Sequence, residues 1–348
     1  MMPTVAVLFQ AINPPIINGV RKPRKPGAYQ DSGADIAYTL HSKGINILTP
    51  TPTPSPKKHE GATHLWANTT VFSSHPLQTS SALDRHASKI QVIGQPPGLV
   101  EKFDDKLYLN DKLRSLGDTF TLPKSWAVKA THNAHDLHTF IQKNIPAYPI
   151  VGKPVRGRGS HGVKVCHDPA ELTEHIQSLF DESPVVLLEE FLAGEEATIT
   201  VMPPSPANPQ YWSMAPVMRC NHDNGIAPYN GTVAVTANSR VISAEELALD
   251  SAYGVVMRQC ERVAALIRAT APIRIDIRRF GAGAGAFAIF DVNMKPNMTG
   301  PGRPGREDQA SLTAMAATAS GWDYARLLRE MMDGASSLEV FRQYQSPF

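Results

Sequence analysis

Two runs in the last third of the chain, Arg274-Ile-Asp-Ile-Arg278 and Ala288-Ile-Phe-Asp-Val-Asn293, flank a Gly-Ala-Gly-Ala-Gly turn. Their period-2 alternation predicts paired strands, and the glycines between them predict a hairpin. Arg274, Asp276 and Arg278 then share one face, as do Asp291 and Asn293 on the partner strand. Pairing the strands converges Asp276, Asp291 and Asn293. Two carboxylates and a carboxamide suit magnesium, which completes its octahedral shell with phosphate and water. One or two such ions fit, and manganese is compatible. Arg274 stands where it can stabilise the oxyanion of an acyl transfer. A purely salt-bridged hairpin is the alternative.

About 120 residues earlier lies a second constraint, Lys153-Pro-Val-Arg-Gly-Arg-Gly-Ser-His-Gly162. Its Gly157-Arg-Gly159-Ser-His-Gly162 spells GxGxxG, but a dinucleotide fingerprint needs a helix to begin in the loop. The following Val163-Lys-Val-Cys166 is strand-like, so the segment reads as a strand-loop-strand flap. Glycines there let backbone N–H groups approach phosphates, with Lys153 balancing charge and Ser160 adding a donor. Downstream, Leu187-Leu-Glu-Glu-Phe-Leu-Ala-Gly-Glu-Glu196 puts Glu189 where it can accept from an adenine amino group and Glu196 where it can accept from ribose hydroxyls. A backbone cradle, a lysine and a magnesium-type ligand set together imply ATP use.

The N-terminal stretch reads as strand (Thr4 to Phe9), helix (Asp31 to Lys43) and strand (Gly44 to Thr49), a βαβ start to a parallel sheet. Pro50-Thr-Pro-Thr-Pro-Ser-Pro56 cannot be helical and reads as a loop. Lys89 to Gly94 reads as the last strand of this region, Asp104 to Leu116 as a helix and Ala244 to Ile267 as one long helix. The fold class is α/β at the start and α+β in the remaining two-thirds.

At 348 residues the chain is long enough for two or three domains, and its net charge of +2 lacks the concentrated basic face a nucleic-acid binder needs. Arg21-Lys-Pro-Arg-Lys25 follows the first strand, a usual place for ligand contacts in α/β domains. Arg21 and Arg24 are therefore substrate candidates, and Arg303 and Arg306 are candidates to clamp a substrate carboxylate. Cys166, Cys220 and Cys260 are widely spaced, fitting neither a disulfide framework nor a zinc site, and point to a reducing compartment. No apolar run is long enough to span a bilayer. A cytoplasmic protein with no membrane or nucleic-acid partner is expected. No GxSxG elbow or HExxH spacing supports hydrolase chemistry.

Taken in order, these parts resemble the ATP-grasp superfamily, most closely its D-alanine–D-alanine ligase branch, from Val5 to about Leu328. The resemblance implies an N-terminal α/β substrate domain (1–98), a central subdomain with the phosphate flap (99–192) and a C-terminal subdomain with the metal ligands (193–348). It implies that MgATP phosphorylates a carboxylate and that an amine attacks the acyl phosphate, releasing ADP and phosphate. It also implies small-molecule carboxylate and amine substrates and a homodimer. By motif, Lys153 and Ser160 match the flap lysine and serine, and Lys112 matches the first ATP lysine, with Lys106 as its rival. Glu189 matches the adenine-contacting acid, with Glu190, Phe191 and Leu192 as the hinge. Glu196 matches the ribose-contacting acid, Arg274 the catalytic arginine, and Asp276, Asp291 and Asn293 the metal ligands.

The departures cluster on the first-substrate side. Asp291 stands where a glutamate is usual, Asn297 where a glycine lines the oxyanion site, and Gly159 where a serine holds the first D-alanine. No acid between Gln10 and Gln30 matches the one that grips that substrate's ammonium. Arg21, Lys22, Arg24 and Lys25 occupy that stretch instead and imply an anionic first substrate. A carboxylate–amine ligase for other acids is thus expected, not a cell-wall D-alanine ligase. A non-catalytic nucleotide-binding regulator and an acyl-phosphate-forming kinase are the alternatives on this fold.

Overall fold

A computed structural model describes residues 3–48, 61–130, 134–228, 235–283 and 285–348. The proline run from Pro50 to Pro56 lies outside the described residues. Three larger sheets organise the described residues, beside a two-stranded hairpin of Ile16–Ile17 and Val20–Arg21. The first is five-stranded, in the order Ser336–Ser337, Gln91–Ile93, His64–Ala67, Thr4–Leu8 and Asn46–Leu48. Its strands are parallel except the Ser336–Ser337 edge, so the end of the chain returns to the N-terminal sheet. The βαβ expectation holds, with the helix at Gln30–Ser42. That helix turns Ile36, Ala37 and Leu40 onto Val5, Val7 and Trp66. Fully burying each such aliphatic side chain contributes about 1.5–3 kcal/mol relative to exposure.

The second sheet is antiparallel, in the order Ser125–Lys129, Val185–Glu190, Ile150–Pro154 and Lys164–Cys166. Helices Ala134–Asn144 and Pro169–Phe180 cover one face, seating Leu137, Ile141, Leu172, Ile176 and Leu179 against Val128, Ile150, Val186 and Leu188. With one face thus sealed, the other is left to carry polar groups such as Lys153 and Glu189.

The third sheet runs Ser239–Val241, Val217–Arg219, Glu196–Met202, Ile273–Arg279 and Phe287–Asn293, with Trp212–Ser213 also on Glu196–Met202. Strand Ile273–Arg279 alternates strictly, its isoleucines buried and Arg274, Asp276 and Arg278 half-buried. Its isoleucines pack on the helix Ser251–Leu266 through Val256, Cys260 and Val263. The single helix expected from Ala244 to Ile267 is broken. Helix Ala244–Leu249 ends at Asp250, which adopts extended geometry and caps Ser251–Leu266 by accepting from Ala252 N at 3.0 Å. An aspartate offers the chain a side-chain acceptor in place of a helical carbonyl, which periodicity alone does not register.

Candidate active site

One cavity opens between the flap, the second sheet, the third sheet and the N-terminal segment. Its wall includes Lys153, Ser160, Glu189, Glu190, Phe191, Leu192, Glu196, Arg274, Asp276, Asp291 and Asn293, so the expected nucleotide and metal residues converge. The flap emerges from strand Ile150–Pro154 and returns through strand Lys164–Cys166, with no helix at its end. Gly159, Ser160 and Gly162 are left-handed, at φ of 58°, 61° and 69°. A Cβ at Gly162 would also meet Leu179 Cδ2 at 2.9 Å, so only glycine closes this turn against the second sheet's helix.

On the nucleotide side, Lys153 Nζ donates to Glu189 Oε2 at 2.6 Å and to the Phe290 carbonyl at 3.0 Å. Asn110 donates to the other Glu189 oxygen at 3.1 Å. These ties hold the lysine and the acid on neighbouring strands, where register places Leu187 opposite Lys153. Glu190 accepts from Lys124 N at 2.7 Å at the hinge. Glu196 Oε2 lies 2.9 Å from His222 Nε2 and 3.4 Å from Arg278 Nη1. The Arg278 guanidinium stands 4.9 Å from the centre of the Phe191 ring.

On the metal side, Asp276 and Asp291 are direct partners in the antiparallel ladder, and Arg274 partners Asn293. A bulge after Asp276 shifts the register, so Phe290 and Asp291 both reach the cavity. Asp276 accepts from Thr198 Oγ1 at 2.6 Å, from Arg274 Nε and Nη2 at 3.1 and 3.2 Å, and from Asn293 Nδ2 at 3.1 Å. Asp291 Oδ1 accepts from Lys106 Nζ at 2.6 Å. Burial alone would push the Asp291 carboxyl up, but Lys106, Lys153 and Lys22 together hold it below its ordinary value. An oxygen-only set of two facing carboxylates and an amide fits a hard divalent cation. Asp291 keeps the larger share of coordination capacity, since Asp276 spends four lone-pair sites on protein donors.

The structure brings one of the two helical lysines to the cavity, and it is not the one matched by motif. Lys106, in the first turn of helix Lys106–Arg114, lines the cavity, whereas Lys112 lies outside its wall with its ammonium 5.6 Å from the Tyr108 ring centre and 5.9 Å from that of Phe348. Four expected substrate residues are not brought to the wall either. Arg21 donates to the Pro14 carbonyl at 2.8 Å and Arg24 to the Gln10 carbonyl at 3.1 Å. Arg303 and Arg306 are held by buried Asp35, at 2.7 and 3.4 Å. Their positive charge is thus spent on fastening a loop to the N-terminal helix.

Residues noted in the sequence only as departures from the family pattern, or not noted at all, also reach the cavity. Lys22 lines it, paired with Asp104. Tyr29, Thr70, Arg158, Lys295 and Asn297 line its far end, where Lys25 donates to Asn297 Oδ1 at 2.9 Å. Burial, aided by Arg158 and opposed by Asp31, pushes the Lys25 ammonium down to about 8. The signals available were the basic run itself and the unusual Lys295 and Asn297 in the segment after Asn293.

Residues 124–333 match the family described as D-ala D-ala ligase C-terminus. The chain belongs to this family. A D-alanine–D-alanine ligase of Syntrophotalea carbinolica is 27% identical over 192 residues, covering 55% of this chain and 56% of that protein. The chain therefore aligns with about half the length of the curated relatives it matches. A solved D-alanine–D-alanine ligase of Bacillus anthracis complexed with ATP superposes with a TM-score of 0.65 at 16% identity, covering 99% of this chain and 100% of that one. The Coxiella burnetii D-alanine–D-alanine ligase gives 0.69 at 11% identity, covering 98% and 96%. The fold is thus the three-domain ATP-grasp architecture, with the flap, hinge and hairpin of this D-ala D-ala ligase C-terminus chain all inside the matched segment.

Proposed function

We propose that this chain is an ATP-dependent carboxylate–amine ligase that joins small acids or amino acids through an amide or peptide bond. The observation that carries the reading is the meeting of Lys106 with Asp291 at 2.6 Å, beside Lys153 and Arg274 in one cavity. Cations suited to phosphates and carboxylates suited to a metal arrive there from a helix, the second sheet and the third sheet. In this reading Lys106 and Lys153 hold the α- and β-phosphates, the flap N–H groups and Ser160 cover the γ-phosphate, and Glu189, Glu190, Phe191, Leu192 and Glu196 receive the nucleoside. Asp291, with Asp276 and Asn293, would hold magnesium, which neutralises phosphate charge when bound.

A substrate carboxylate oxygen attacks the γ-phosphorus, the bond to the β-phosphate oxygen breaks, and ADP leaves an acyl phosphate behind. The amine nitrogen then attacks the acyl carbon. Its C–O bond to phosphate breaks, and the nitrogen loses a proton as phosphate departs. Arg274 stabilises the oxyanion formed between these events, a role whose removal costs enzymes on the order of 10²–10³ in rate. Efficient D-alanyl-D-alanine synthesis is not expected, because the N-terminal segment offers Lys22 and Lys25 where an ammonium would need an acid.

The test is mass spectrometry of reactions containing MgATP and pooled L- and D-amino acids and small carboxylic acids, with ADP followed in parallel. A product of mass acid plus amine minus water, formed with ADP, is the expected result. ADP release without an amine requirement would identify an acyl-phosphate-forming kinase instead. ATP binding without ADP from any pool would identify a nucleotide-binding regulator.

A further inference from the structure

Three cations from segments far apart in sequence gather on one ring. Lys295 Nζ lies 4.0 Å from the centre of Tyr29, Lys25 Nζ 4.4 Å and the Arg158 guanidinium 5.1 Å. Their hydrogen-bond partners among the described residues are neutral. Lys295 donates to Asn68 Oδ1 at 2.7 Å, Lys25 to Asn297 Oδ1 at 2.9 Å, and Arg158 to the Pro23 carbonyl and Thr70 Oγ1, both at 3.2 Å. Among the described residues none of the three forms an ion pair. Elsewhere on the same wall Lys22, Lys106, Lys153, Arg274 and Arg278 each have a carboxylate partner, Asp104, Asp291, Glu189, Asp276 and Glu196 respectively.

Like charges held together in a half-buried site raise one another's energy, and an anion arriving from solution relieves this. Each ammonium carries three donors, so both lysines have further hydrogen bonds to give. Arg158 comes from the flap and contacts the N-terminal segment, so an anion here would tie these two parts together. Lys295 follows Asn293 by two residues in the same segment, so this charge cluster adjoins the groups assigned to the reacting carboxylate and nucleotide.

We propose that the end of the cavity formed by Lys25, Tyr29, Arg158 and Lys295 binds a second anionic group of the acid substrate. The acid that this chain activates is therefore a small dianion, a dicarboxylate or a phosphorylated carboxylic acid. This rests on the ligase reading for the fate of the other carboxylate, and goes beyond it in naming the substrate class.

The experiment is isothermal titration of the full chain, saturated with MgADP, against matched acids: succinate and glutarate against succinamate and glutaramate, aspartate and glutamate against asparagine and glutamine, and O-phosphoserine against serine, the amino acids in both enantiomers. At least one dianion is expected to bind about tenfold or more tightly than its uncharged-side-chain match, and less tightly as salt rises. Comparing the carboxylate and phosphate series shows which anion the cluster prefers. Lys295→Met and Lys25→Gln should each remove most of that preference while MgADP affinity stays unchanged. Equal binding of matched pairs, no dianion binding at all, preference retained in both variants, or a parallel loss of MgADP affinity would each overturn the proposal. The last result would assign the cluster to the nucleotide. Heat of binding needs no turnover, so absence of ADP release counts against the ligase reading alone.

Discussion

Lys106 and Asp291 lie 185 positions apart, yet their contact joins the helix after the first sheet to the last strand of the third. Losing either partner leaves the other's charge facing the cavity. Lys106→Met and Asp291→Asn are each expected to lower the rate of ADP release by on the order of 10²-fold or more. Lys106→Met should also weaken MgADP binding, whereas Asp291→Asn should spare most of it; equal nucleotide loss in both variants would contradict the division of roles. Lys25 supplies a pH signature. It is faced by Arg158 from the flap, Lys295 from the third-sheet segment and Asp31 from the first helix, and its ammonium titrates near 8. With folded pKa below the ordinary lysine value, the unfolded chain binds more protons between about 8 and 10.5, so this group's share of stability rises with pH across that window. Affinity for a dianion should instead fall as pH rises through 8, and Lys25→Gln should flatten that decline in titrations at several pH values. The choice of Lys106 over Lys112 was not legible in the sequence. Both sit on one helix with similar neighbours, and only the helix's orientation against the third sheet decides which faces the cavity.

At the scale of elements, the hairpin was legible because one strand is strictly alternating and buries Ile273, Ile275 and Ile277 on the helix behind it. The bulge after Asp276 was not legible. It depends on how two strands twist together, and it lets Phe290 and Asp291 face the cavity in succession. The break at Asp250 had a local signal, an aspartate preceding Ser-Ala-Tyr, but the apolar period runs on through it. Asp250 also pairs with Arg279, whose guanidinium lies 3.9 Å from the Phe287 ring centre. Asp250→Ala therefore removes a cap and, at once, one of the two carboxylate partners of buried Arg279, which keeps Glu195 at 3.9 Å and the Gly285 carbonyl. A loss of about 2–3 kcal/mol is expected in urea unfolding, with the midpoint lowered and the slope unchanged. Asp250→Asn, which keeps the cap acceptor, should recover about half of it. Full recovery by asparagine would show that the arginine contact contributes nothing.

Across the whole molecule, one carboxylate fastens the third sheet's loop to the N-terminal domain. Asp35 is 0% exposed on helix Gln30–Ser42, and it accepts from Arg303 at 2.7 Å and Arg306 at 3.4 Å. The loop can come this close because Gly302 has no side chain; a Cβ there would collide with Thr39 Oγ1 and the Asp35 carbonyl. Tyr324 adds a hydrogen bond to the Met298 carbonyl at 2.6 Å, so the segment carrying Lys295 and Asn297 is anchored just beyond its end. Sequence distance hid this arrangement: arginines in a glycine-proline loop look like ligand groups until their buried partner, 268 positions away, is known. Asp35→Ala leaves two partly buried guanidiniums without their main partner and should cost roughly 3–5 kcal/mol in urea unfolding. Asp31 touches the same arginines at 3.4 and 3.9 Å but is 77% exposed, so Asp31→Ala should cost less than about 1 kcal/mol. Arg303→Ala separates anchoring from catalysis. If the arginine only holds the loop, the KM for the acid rises while the KM for MgATP and the folded state's affinity for MgADP stay near wild type. A fall in kcat with unchanged acid KM would instead mean that Arg303 reaches the reacting groups, and the anchoring account of this loop would be wrong.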